Sequence, residues 1–131
     1  MSEAVWYANP VMRSFLAGLA GFVAYGGWAF YANSSHGDMI ALRSGVVQGS
    51  YSFVLTFVMT IVTEWLFTKL YGKLLWLPTL MVIVCSVLFT TAYTINMIAG
   101  TPEILMTIFP GFVIGSIYTL IYVIGLSKKA G

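Results

Sequence analysis

Charge is what this chain most lacks. Asp, Glu, Lys and Arg make up 8% of its 131 residues, against 60% hydrophobic ones, where soluble domains carry roughly 25% charged residues. Too little polar surface remains to solvate a water-soluble fold. The formal charge of +2, from six basic and four acidic residues, is too weak an excess to suggest nucleic acid as a partner. With one cysteine and one histidine, no intrachain disulfide can form and no multi-histidine metal or haem site can be assembled. Cys85 lies in an apolar run and reads as an inert thiol. His36 lies in a Gly-containing polar stretch beside Asp38 and reads as a solvated loop residue. No glycine-rich phosphate loop and no paired carboxylates are visible, and neither a Ser-His-Asp nor a Cys-His site can be built around His36. These absences argue against an enzyme; no catalytic residue, metal or cofactor is expected.

What is present is apolar length. Four runs, about 14–32, 45–67, 76–98 and 104–126, reach the roughly 20 residues needed to cross a bilayer. Four Trp and eight Tyr suit interfacial belts. The reading is an all-α integral membrane protein: a four-transmembrane-helix bundle in a single domain over 1–131. Short connections at 33–39, 69–73 and 99–103 make sequential helices antiparallel neighbours. The N-terminal stretch has no basic n-region, so the first span is expected to be retained.

Orientation follows from the basic residues. Arg13, Lys69, Lys73, Lys128 and Lys129 fall on one side of the predicted spans and Arg43 on the other. By the positive-inside rule both termini are expected in the cytoplasm, which with the compact chain suggests the inner membrane of a bacterium. Thr101-Pro102-Glu103 reads as a helix start, with Thr101 as N-cap. Pro110-Gly111 then falls inside the fourth span and is a candidate kink or hinge. Gly45-x-Val47-x-Gly49-Ser50 is echoed by Gly111-x-Val113-x-Gly115-Ser116, so the chain could be two helical hairpins arranged as parallel repeats.

Ser44, Gln48, Ser52, Thr56, Thr60 and Glu64 recur every four residues. Such a row drifts about 40° per step around a helix. Gly45, Gly49, Ser52, Thr56 and Thr63 instead hold a three-four spacing, which suits a seam packed on a neighbour. Small residues let membrane helices approach closely; Gly45, Gly49, Gly111 and Gly115 are the packing candidates, joined by Ala17, Gly18, Ala20, Gly21 and Ala24 in the first span. The alternative is a solute path through Gln48, Ser52, Thr56 and Glu64. Gln48 is the strongest candidate for a polar contact, because an amide at that depth should face a partner or water.

Glu64 is the one carboxylate inside a predicted span, just within its inner boundary. Arg13 opens the first span on the same side, and an Arg13–Glu64 ion pair is expected to lock that end of the hairpin. Arg43, Asp38 and Glu103 are expected to form a small cluster at the other end. The leading functional reading is a non-enzymatic membrane protein acting by helix association in the lipid bilayer, as a homo-oligomer or as accessory subunit of another membrane protein. The alternative is a minimal oligomeric transporter, flippase or channel for a lipid-linked or small polar substrate.

Overall fold

A computed structural model describes residues 9–131. Four helices follow one another: α1 (Pro10–Ala32), α2 (Asp38–Leu70), α3 (Trp76–Ile98) and α4 (Ile104–Ala130), with a short 3-10 turn at Ser34–His36. Each is long and apolar enough to cross a membrane. At 1.5 Å per residue even a 23-residue helix such as α1 or α3 extends for about 34 Å, beyond the roughly 30 Å of a hydrocarbon core. The connections 33–37 and 99–103 lie together at what is here called the distal end. The link 71–75 and the C-terminus lie at the other, terminal end.

Helix boundaries follow local chemistry. Asn9 caps α1, its side chain accepting from the Val11 N–H at 2.9 Å, with Pro10 at the first helical positions, where its missing N–H costs nothing. The second helix begins at Asp38, well before the predicted 45, with the acidic residue in its first turn, where it complements the helix dipole. The fourth begins at Ile104 and not at Pro102, and Thr101 does not cap it. The Thr101 hydroxyl is instead donated to Asn96 Oδ1 at 2.9 Å, since a buried amide is the more demanding partner.

The outward faces are apolar. Val54, Val58 and Ile61 on α2 and Ile117 and Ile121 on α4 are all exposed, an arrangement that water would penalise and lipid would not.

Two kinds of contact hold the bundle. Between α1 and α2 the backbones touch: a Cβ on Gly26 would lie 2.8 Å from the Gly45 carbonyl oxygen, one on Gly45 would lie 2.9 Å from that of Gly26, and one on Gly49 would lie 3.0 Å from that of Phe22. No side chain fits there. Further along, Phe15 meets Phe53 edge to face, and Gly18 lies against the Phe53 ring. Helices α2, α3 and α4 share a side-chain core of Leu66, Phe67, Leu80, Val84, Leu88 and Val123. At its terminal end Phe67, Tyr71 and Trp76 form a cluster of rings over the tight link in which Leu75 adopts φ 60°. The glycine echo does not carry into equivalent contacts: Gly45 and Gly49 meet α1 backbone, whereas Gly111 faces Tyr25 and Gln48, and Gly115 faces Leu88.

Candidate functional site

Helices α1 and α4 are joined at the distal end and separate below it. Asn33, which ends α1, donates to Thr107 Oγ1 at 2.8 Å and accepts from the Glu103 N–H at 2.9 Å. One turn deeper the Trp28 indole N–H donates to the Met106 carbonyl. Below that, Ala17, Ala20 and Ala24 on α1 and Ile114 and Tyr118 on α4 are exposed, and all five line one cleft of about 510 Å³. That size falls within the roughly 300–1,000 Å³ typical of small-molecule sites.

The cleft exists because α1 is small on that face. Ala17, Ala20, Gly21 and Ala24 follow an i, i+3, i+4, i+7 pattern and so share one side of the helix. None is long enough to reach α4. The stretch taken from sequence as a single packing surface therefore divides: Gly18 packs on α2, while these four line the cleft.

The opposite wall is α2. Gln48, Ser52, Thr56, Thr60 and Thr63 all line the cleft. About half of the drift expected of the four-residue ladder from Gln48 to Thr60 is taken back by the three-residue step from Thr60 to Thr63, which turns about 60° the other way. From Gln48 to Thr63 the wall runs about 22 Å along the helix. Thr56 and Thr60 donate to the carbonyls of Ser52 and Thr56 at 2.9 and 3.0 Å, and Thr119 on α4 donates to Gly115 at 2.8 Å. Their hydrogens are thus committed to their own helices, and what they offer the cleft is acceptor lone pairs.

A buried amide network closes the distal end. Asn96 donates to Gln48 Oε1 at 2.7 Å and to the Ala92 carbonyl at 3.0 Å, and its Oδ1 accepts from Thr101. Ser44 donates to Thr101 at 3.4 Å. Because the Ala92 carbonyl requires a donor, the Asn96 atom facing it is nitrogen, and the Gln48 atom sharing that nitrogen must be oxygen. The Gln48 amide nitrogen is left to the cleft side, near Gly111.

Sequence reasoning missed the two asparagines. Both donate Nδ2 to the carbonyl of an alanine four residues earlier, Ala29 for Asn33 and Ala92 for Asn96, and both then bridge to the other hairpin. The signal was present as Ala29-Phe30-Tyr31-Ala32-Asn33 and Ala92-Tyr93-Thr94-Ile95-Asn96, an Ala-aromatic-x-x-Asn pattern ending the first span and falling in the last turns of the third.

The terminal end differs from expectation. Glu64 accepts a hydrogen bond from the Tyr122 hydroxyl of α4, and no Arg13–Glu64 pair forms. The antiparallel register explains this. Gly26 lies opposite Gly45 and Gly49, and Gly18 opposite Phe53, so Arg13 comes level with Val58 or Met59, roughly 7 Å short of Glu64 along the axis. The expected Arg43–Asp38–Glu103 cluster also gives way: Glu103 meets His36 at 3.1 Å, a contact between two exposed side chains. Arg43 donates to the Gly100 carbonyl at 3.3 Å.

Pro110 lies inside α4, which continues through it. Cys85 donates to Ser116 at 3.4 Å. No protein-family model matches the chain, and no curated protein or solved structure matches it.

Proposed function

We propose that this chain is a small multi-pass membrane protein that binds, and as a transporter or flippase passes on, an amphipathic solute held in the α1–α4 cleft. The observation that carries this is the shape and chemistry of the cleft: a polar wall on α2, Gln48 to Thr63, facing an opening whose edges are exposed, membrane-length helices. A solute with a polar group could lie along α2 while its apolar part passes between α1 and α4 into lipid. The Pro110-Gly111 segment, opposite Gln48, would act as the hinge that widens the opening. The excess of basic residues at the terminal end supports a cytoplasmic location for it, in what we take to be a bacterial inner membrane.

The reading that the chain works by helix association rests on its small-residue surfaces. Gly45 and Gly49 are occupied within the chain, which weakens that support. A second reading survives on one observation: Ala17, Ala20, Ala24 and Gly27 are exposed at three-four spacing along α1, a surface on which a second copy could close the same opening.

Native mass spectrometry of the protein released from its host membrane tests both. Under the first reading the wild type retains an amphiphile that Ala20→Phe, which fills the opening, excludes. Equal retention by both proteins would overturn it. A defined oligomer without bound amphiphile, broken by Ala20→Phe, would establish the second.

A further inference from the structure

The geometry points to a cationic amphiphile as the occupant, its positive group held by Glu64 at the terminal mouth of the cleft beside Tyr118 and Tyr122. This rests on the cleft being a binding site, as proposed above. Five observations converge on it.

Glu64 carries a carboxylate on an apolar helix and, among the described residues, has no Lys, Arg or His within 4 Å; the one acid–base contact among them is His36–Glu103, at the opposite end. A carboxylate in a span is costly unless something compensates it, and its partner here is a neutral phenol, Tyr122. Tyr122 also lines the cleft, so Glu64 is one hydrogen bond from the solute's space.

The wall leading to it is rich in acceptors. Thr56, Thr60 and Thr119 have donated their protons to their own helices, which leaves oxygen lone pairs for a donor or a positive charge. Among the described residues no Lys, Arg or His lines the cleft, so an anionic headgroup would be desolvated there without a counter-charge from them.

Tyr118 and Tyr122 are stacked at 6.0 Å with 11° between their planes, and both line the cleft. Aromatic faces attract cations, the more so where water is excluded. Leu55, Met59 and Phe112, also on the lining, suit an apolar body attached to that cation.

The test is equilibrium binding of tetraphenylphosphonium to the full chain in phosphatidylcholine nanodiscs. Three variants separate charge from structure, because each alters the Tyr122–Glu64 contact differently. Glu64→Gln keeps an oxygen that can accept from Tyr122 but removes the charge; it should weaken binding at least tenfold, while Glu64→Asp retains most of it. Tyr122→Phe breaks the contact but frees the carboxylate and keeps an aromatic ring; it should bind as well as the wild type or more tightly. If Tyr122→Phe loses binding and Glu64→Gln keeps it, the contact is structural and the inference is overturned. Binding unchanged in Glu64→Gln but abolished in Ala20→Phe would overturn the cation site and leave the cleft reading standing. No binding by the wild type would also overturn the cation site, and amphiphile retention from the host membrane would then decide the cleft reading by itself.

Discussion

The indole N–H of Trp28 donates to the carbonyl of Met106 at 2.7 Å, and Met106 is the residue four before Pro110. Proline has no N–H to return to that carbonyl, so within α4 it would be an orphan. In lipid an orphan carbonyl has no water to turn to, and a neighbouring helix must satisfy it. Trp28 does so from α1. The same contact is the deepest polar tie between α1 and α4, just above the point at which they part to form the cleft.

Trp28→Phe should therefore lower stability by about 1–2 kcal/mol, because it strands the Met106 carbonyl. In a Pro110→Ala background, where residue 110 regains its N–H, the same change should cost about 1 kcal/mol less. Reversible unfolding of the four proteins of this double-mutant cycle in bicelles measures the coupling. Equal cost in both backgrounds would show that Trp28 acts through packing alone.

Neighbouring glycines on α1 should behave oppositely. Gly26→Ala places a methyl group 2.8 Å from the Gly45 carbonyl oxygen, whereas a Cβ on Gly27 meets nothing within 4 Å. The first forces the hairpin apart and should cost about 1–3 kcal/mol as an overpacked contact. The second should be neutral or slightly stabilising, because alanine is the better helix former. Thermal midpoints of the two variants in the same detergent make the comparison.

Asn96 is fully buried and serves Gln48, Ala92 and Thr101 at once. Asn96→Ala should cost about 1–3 kcal/mol, since it leaves buried partners without bonds. Gln48→Leu should cost less in that background than alone, the shared bond being already gone. Additive losses in unfolding experiments would mean that the two amides do not depend on each other.

Topology is open to labelling. In a Cys85→Ser chain, Ser35→Cys at the distal end and Ala130→Cys at the terminal end are both exposed positions. If the basic residues set orientation, a membrane-impermeant maleimide added to intact cells should label the first and spare the second until the cells are broken. The reverse pattern would place the termini outside.

Composition and hydropathy by themselves determined the helices, because the requirement of about 20 apolar residues per crossing is local and is met or failed within one segment. The third span read from sequence, 76–98, coincides with α3. The polar ladder of α2 was equally legible, since Gln48, Ser52 and Thr56 recur every four residues in an otherwise apolar run. What the sequence left open was direction. Ala17 and Gly18 are adjacent and alike in size, yet about 100° of helix rotation sends one to the cleft and the other against Phe53. Glu64 meets Tyr122 and not Arg13 because Gly26 docks on Gly45 and thereby sets the register of the whole hairpin. Partner choice of that kind depends on where distant backbones come to touch, and only the tertiary structure decided it.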